Sequence, residues 1–326
     1  LRIQSNRFVK AGKKEDEKMD LPKISIITPS FNQGHFIEQT ILSVLNQNYP
    51  NLEYIIIDGG SMDDTVSIIR KYESKIHYWV SEKDNGQSDA INKGLKICTG
   101  DIIAYINSDD MYENDTFVKI INRYNEIAHK KALIYGKFKV IDEKNTILWQ
   151  PNDLNDELKL VKYSSFELLQ CWKYTIPQPS TFWTREVLNE IGYFDTSLHF
   201  SMDLDYWLRV IQANIPIYQV NSVYSYFRRH DSAKSSLHVE LLKQNLLHLK
   251  SKYLCSFFIK VAYSAKFYIW FKCTSQINEA ITLIIKGEKL KAIKLLFKAT
   301  LCFPFAPFFK IKLYAVFLKN TLKWLY

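Results

Sequence analysis

Asp109 and Asp110 stand side by side just beyond the apolar run IIAYI (102–106), with only Asn107 and Ser108 between. Like charges this close raise each other's proton affinity unless a cation answers them. A strand fit for burial that ends in two carboxylates suits a hard-oxygen site for Mg2+ or Mn2+, ions that hold substrate phosphates through one or two carboxylates. An isolated Ser-Asp-Asp also suits a bend or a helix cap. What favours a site is that polar clusters recur where other apolar runs stop. Pro29 and Ser30 end ISIIT (24–28), and Asp58-Gly59-Gly60-Ser61 ends LEYIII (52–57).

The elements that must position these clusters follow from periodicity. ISIITP (24–29), LEYIIIDGG (52–60), IHYWVSE (76–82) and DIIAYINSDD (101–110) read as strands. HFIEQTILSVLNQ (35–47), MDDTVSIIRKY (62–72), QSDAINKGLKICTG (87–100, closed by Gly100) and NDTFVKIINRYNEIA (114–128) read as helices. Strands alternating with helices of this length predict an α/β fold, a mainly parallel sheet flanked by helices. Ligands then sit beyond the carboxyl ends of the strands, where the polar clusters should converge. After about residue 130 the pattern turns β-like, and from about 230 helix-like apolar stretches dominate.

Two nucleotide-binding designs are absent. The first turn reads SFNQG (30–34) where a dinucleotide site needs GxGxxG, and no GxxxxGK[ST] occurs. Phosphate would therefore be held by a cation. Five cysteines with no CxxC pair speak against a disulfide framework or structural zinc and fit a reducing compartment.

ISIITPSFN, IIIDGGSMDDT, GQSDAINKG and INSDD, in this order, resemble family 2 glycosyltransferases with the GT-A fold, over about Lys23 to Ser235. The resemblance implies a nucleotide-sugar donor bound at that edge. Pro29 would let the backbone approach the nucleotide, with Ser30 and Asn32 nearby. Asp58 would accept a hydrogen bond from a uracil ring, with Ser61 beside it, and Asp89 and Lys93 would face the nucleoside. The family's Asp-x-Asp-Asp signature begins here with Asn107, which leaves Asp109 as the metal ligand. Ser108 and Asp110 would lie near the donor phosphate or sugar, and Asn107 near a ribose hydroxyl.

The segment 178–210 resembles the family's acceptor region, with Met202-Asp203 where Glu-Asp is usual. Asp203 is thereby the expected catalytic base, and Trp183 and Trp207 the expected acceptor contacts. Ser201 reads as an N-cap, which puts Asp203 in a first helical turn where the dipole favours its anion. Asp205 is the competing candidate for the base, but its spacing suits a structural pair with Arg209 at i+4. In YFRRHDSAKSS (226–236), His230 with Arg228 or Arg229 would close over the diphosphate; a solvated loop is the alternative.

After residue 249 come fourteen lysines against Glu279 and Glu288, a charge of +12, so the preceding part carries −3. The lysines are interleaved with bulky aromatics and Pro304 and Pro307, a composition suited to helices on an anionic membrane surface rather than to nucleic acid. Packing on the catalytic domain or on a second copy is the alternative. The expected organisation is a polar tail (1–20), a GT-A domain (21–235, nucleotide half to 130) and a basic aromatic helical region (236–326). The expected activity is inverting, metal-dependent transfer from a UDP-sugar to a lipid-linked or cell-surface glycan at the cytoplasmic membrane face. A sugar-1-phosphate nucleotidyltransferase and a non-catalytic sugar-nucleotide-binding subunit stand as alternatives.

Overall fold

The computed structural model describes residues 21–127, 131–170, 176–234 and 239–253. The chain divides into two units after Tyr253, and the second lies outside the described residues.

Ten strands form one sheet. β1 (Ile24–Ser30), β2 (Leu52–Asp58), β3 (Tyr78–Ser81) and β4 (Ile102–Tyr105) are parallel, in the order β3-β2-β1-β4. The order continues through β9 (Thr181–Thr184), β6 (Leu133–Ile141), β10 (Ile217–Arg228) and β5 (Met111–Tyr112). There only the β6–β10 pairing is parallel. β7 (Ile147–Trp149) adds to β6 and β8 (Leu158–Val161) to β10, both antiparallel. The expected mainly parallel, mixed sheet is thus present, parallel through the first half of the chain and mixed in the second.

β1 is buried along all seven residues, which is why it reads as one β-branched run. Its side chains alternate between two layers. Ile24 and Ile26 share a core with Ile37, Ile41 and Val44 of α1 (Ile37–Leu45), Ile69 of α2 (Thr65–Lys71), and Phe117 and Ile120 of α4 (Thr116–Glu126). Each such side chain contributes about 1.5–3 kcal/mol by leaving water. Ile27 faces the other way, against α3 (Gln87–Ile97); a Cβ on Gly94 would lie 2.6 Å from Ile27 Cγ2, so glycine sets the helix–sheet distance. The remaining helices are α5 (Ser165–Gln170), α6 (Arg185–Ile191), α7 (Met202–Gln212) and α8 (Val239–Tyr253).

Two expectations change. α3 stops at Ile97, so Gly100 is not its cap; Gly100 instead presses on β1. β4 is only four residues long, so Asn107–Asp110 lie on a turn, closed by Asp110 N–H to Asn107 O at 3.1 Å. The first compact unit runs to Tyr253, where Tyr253 and Lys252 at the end of α8 bond Asp205 of α7. Among the described residues no helix is long and apolar enough to cross a membrane.

A Cβ at Gly100 would lie 2.7 Å from the Ser25 nitrogen and 2.8 Å from the Lys23 oxygen, atoms that cannot rotate away. Gly100→Ala should therefore cost about 1–3 kcal/mol, read as a lower denaturant midpoint with an unchanged slope.

Candidate active site

Three strand ends lie level at the carboxyl edge: Ser30 is in register with Asp58, and Asp58 with Ser81. Pro29 is buried opposite Ile57. The Ser30 hydroxyl is buried with no hydrogen-bond partner among the described residues. Asn32, in the left-handed region at φ 51°, donates its N–H to Ser61 Oγ (2.7 Å) and accepts the Met62 N–H at Oδ1 (3.0 Å), stitching the two turns together. Phe31, between them, is 59% exposed at this mouth, an aromatic face that the sequence reading passed over.

Asp58 is fully buried, and its carboxylate accepts four donors: Gly60 N–H (3.1 Å), Ser61 N–H (2.9 Å) and Ser81 Oγ (2.6 Å) at Oδ2, and Ser61 Oγ (2.5 Å) at Oδ1. Asp58 thus shapes the turn, while Oδ1, with one donor, keeps an acceptor site. Asp89 Oδ2 accepts the Asn85 N–H (3.1 Å), and Lys93 pairs with Glu82 at 2.7 Å, so both organise the start of α3.

At the end of β4 the paired carboxylates point apart. Asp110 is 1% exposed and its Oδ1 accepts the backbone N–H of Arg228 at 2.9 Å. Burial, and then the charge of Asp109, lifts its proton affinity well above the usual carboxylate range. It therefore faces the interior rather than a donor phosphate, and Ser108 is likewise buried. Arg228 is also inside, at 1% exposure, and is not the surface clamp expected of it. Its guanidinium donates to the carbonyls of Asp109 (2.9 Å) and Asp142 (3.0 Å) and to Asn145 Oδ1 (2.7 Å) and Gln39 Oε1 (2.8 Å), and lies over the Phe36 ring. Arg229, next in sequence, is exposed.

Asp109 keeps 22% of its side chain exposed, and its Oδ2 lies 3.1 Å from His230 Nε2. The other ring nitrogen, Nδ1, is 2.8 Å from Ser232 Oγ, and the ring packs on Phe36. Two ligands at right angles on an ion with ~2.1 Å bonds lie about 3.0 Å apart, so this pair fits two positions on one Mg2+ or Mn2+. Among the described residues no group of three or more His, Cys, Asp or Glu could hold a metal. A diphosphate and water would complete such a shell.

Asn107 belongs to a chain of amides. Gln87 Nε2 donates to Asn107 Oδ1 (2.7 Å), Asn107 Nδ2 donates to Gln178 Oε1 (3.1 Å), and Gln178 Nε2 donates to Tyr105 O (2.8 Å). Lys234 Nζ donates to Gln87 Oε1 (3.2 Å) and His199 O (2.5 Å), which extends the chain toward α7. Gln87 and Lys234 lie inside the quoted motifs 86–94 and 226–236, but only the folded chain pairs them.

Asp203 is partly exposed in the first turn of α7, its Oδ1 accepting the Leu204 N–H at 2.8 Å. Ser201 occupies the cap position with φ 57° and makes no side-chain cap bond. Desolvation raises the Asp203 pKa, with the Leu204 N–H and the Lys234 charge pulling against it. Burial, and then the charges of Asp203 and Asp110, raises the affinity of Tyr105 for its proton. Asp205 is fully buried and bonded to Arg209 Nε, Lys252 and Tyr253, a structural knot. Trp183 and Trp207, expected at the acceptor, are 1% and 2% exposed in an aromatic cluster with Phe194 and Tyr206. They support the floor beneath α7 and cannot stack on a sugar from there.

The Glycosyl transferase family 2 profile matches residues 25–192. The chain belongs to that family. A glycosyltransferase of Rickettsia typhi, itself uncharacterised, is 30% identical over 227 residues, covering 68% of this chain and 69% of that protein. A Rickettsia felis relative, 29% identical, covers 72% of this chain, which in turn spans only 40% of that relative. The Bacillus subtilis protein TuaG, whose name attributes to it glycosyl transfer in teichuronic acid biosynthesis, is 40% identical over 101 residues, 30% of this chain and 40% of TuaG. Among solved structures, S. aureus TarS 1–349 in complex with UDP-GlcNAc aligns with a TM-score of 0.57 at 19% identity, over 85% of this chain and 81% of that one. This glycosyltransferase therefore has the GT-A fold, and membership of the family sets aside the nucleotidyltransferase alternative.

Removing the Arg228 guanidinium would orphan several carbonyls at about 1–3 kcal/mol each and strip Asp110 of its nearest buried cation. Arg228→Met should lower the melting temperature far more than Arg229→Met, compared by calorimetry.

Proposed function

We propose that this glycosyltransferase moves a sugar, with inversion, from a UDP-sugar to a hydroxyl of a lipid-linked or cell-surface glycan precursor, with Mg2+ or Mn2+ at Asp109 and His230. The observation that carries this reading is the polar path Lys234–Gln87–Asn107, which ties the segment after β10 and the start of α3 to the turn that carries Asp109. It supports a reading in which a cation site at Asp109 faces a carboxylate base at Asp203 across one cleft. The TarS complex with UDP-GlcNAc supports a uridine donor, and TuaG supports a cell-wall glycan as acceptor.

Each side chain then has a task. Asp203 takes the acceptor hydroxyl's proton as its oxygen bonds the anomeric carbon and the bond to the diphosphate breaks; a single displacement from the face opposite the leaving group inverts that centre. A bound divalent cation would supply Lewis-acid stabilisation of the departing diphosphate. Asp109 and His230 hold the leaving-group end, and Arg229 lies exposed beside them for the phosphates. Ser30 offers its unpaired hydroxyl to the nucleotide, Asn32 and Ser61 fix the turn beneath it, and the Asn107 amide aligns the ribose. The region 236–326, whose residues 236–238 and 254–326 lie outside the described part, is proposed to bind the inner membrane face or a second copy.

A general base contributes about 10²–10⁴-fold. Asp203→Asn should lower transfer by that factor and leave UDP binding within twofold, whereas Asp109→Ala should abolish the Mn2+-dependent part of UDP binding. Release of UDP, dependent on acceptor and Mn2+, is the readout. UDP binding without turnover against any acceptor would favour a non-catalytic binding subunit instead. The raised Asp203 pKa sets the acid limb: the base is lost when protonated, so kcat/KM should fall with decreasing pH at a midpoint above the ordinary carboxylate value near ~4. Flotation of the full chain with anionic vesicles, absent for residues 1–253, is expected if the C-terminal region binds membrane.

A further inference from the structure

The helix that carries Asp203 starts without a cap of its own. Ser201, at the cap position, is in the left-handed region at φ 57° and makes no side-chain bond to the first turn. Asp203 Oδ1 takes the Leu204 N–H at 2.8 Å, and the Asp205 N–H reaches Ser201 O at 3.0 Å. A side-chain cap contributes about 1 kcal/mol to a helix start, and an uncapped turn frays unless something outside the helix holds it.

α8 holds it. Tyr253, the last residue of α8, donates its hydroxyl to Asp205 Oδ1 at 2.6 Å, and Lys252 Nζ reaches the same oxygen at 2.9 Å. Arg209, one turn along α7, donates to Oδ2 at 2.9 Å and is itself fixed on the carbonyls of Ile191 (2.7 Å) and Tyr193 (2.9 Å). Asp205 is fully buried and lies two residues after Asp203 in the same turn. Just before the helix, Asn245 Nδ2 of α8 donates to Phe200 O at 3.4 Å. Burial and the Asp205 carboxylate raise the Tyr253 pKa, so the phenol stays a donor. Apolar side chains of similar volume often hold two helices as firmly; charge-assisted bonds add a fixed direction.

We propose that Tyr253 and Lys252 are positioning residues for catalysis: through Asp205 they fix the first turn of α7, and so the direction in which Asp203 meets the acceptor hydroxyl. The inference rests on the general-base role given to Asp203 in the preceding section. A base works only within hydrogen-bond reach of the proton it takes, and a misplacement of about 1 Å costs on the order of 10²-fold. α8 then belongs to the catalytic apparatus, although it lies beyond the segment 25–192 that the family profile matches.

The test uses the full chain, with Tyr253→Phe and Lys252→Met made alone and in the Asp203→Asn background. Turnover is read as UDP released with Mn2+ from a panel of UDP-sugars, UDP-GlcNAc first, with water or a cell-wall glycan extract as acceptor. Tyr253→Phe should lower kcat at least tenfold and leave the KM for the UDP-sugar within twofold; Lys252→Met should lower kcat at least threefold. In the Asp203→Asn background neither should lower kcat further by more than twofold, because the group being aimed is gone. Amide exchange in the segment 201–205, read by mass spectrometry, should quicken at least tenfold in Tyr253→Phe while that of β1 stays unchanged. If the wild type turns over but Tyr253→Phe keeps kcat within threefold, lowers it equally in both backgrounds, or leaves exchange in 201–205 unchanged, the inference is overturned and the proposed function stands. Should Tyr253→Phe not fold, Lys252→Met, whose side chain is 40% exposed, decides by the same kcat comparison in the two backgrounds. A wild type that releases no UDP from any of these sugars overturns the proposed function and this inference together.

Discussion

One buried guanidinium organises the catalytic edge. Asp109 and Asp110 are adjacent, and two ionised carboxylates so placed would repel each other at the end of a buried strand. Arg228, itself buried, sits under their turn, takes the Asp109 carbonyl with Nε and gives its own N–H to Asp110. The repulsion is resolved by direction: Asp110 turns inward to Arg228, and Asp109 is left facing the cleft beside His230. Because Arg228 ends β10, the last strand in the sequence, the edge is complete only when the mixed half of the sheet is joined to the parallel half.

The same dependence on elements later in the chain recurs across the cleft. Asn107 contributes no charge where the family carries aspartate, and it is held by Gln87 from α3 and Gln178 from the segment before β9. An amide can donate to one glutamine while accepting from the other; a carboxylate could only accept. The neutral residue thus suits its neighbours, and the site's negative charge is concentrated on Asp109.

Much of this was legible in the sequence, for physical reasons that also mark where legibility ends. The strand ends at Ser30, Asp58 and Asn107 could be read because β-branched runs stop at polar clusters, and a parallel sheet brings such ends to one edge. The Asp205–Arg209 pair followed from helical spacing alone. Trp183 and Trp207 could not be placed, since a helix or strand pattern does not say whether an aromatic faces solvent or a second layer of aromatics. Arg228 was misjudged because arginine is rarely buried, and only its acceptors, distant in sequence, show why it is here. The donors that Gly60, Ser61 and Ser81 bring to Asp58 were not legible, because they depend on how the turn after β2 folds back and on a neighbouring strand. The second half of the sheet was out of reach because antiparallel order there depends on partners far along the chain.

Ser30 carries a thermodynamic consequence. A buried hydroxyl without a partner among the described residues costs about 1–3 kcal/mol relative to a satisfied one. Any molecule that completes that bond returns the difference, so the stability of the fold and the occupancy of this strand end become linked equilibria.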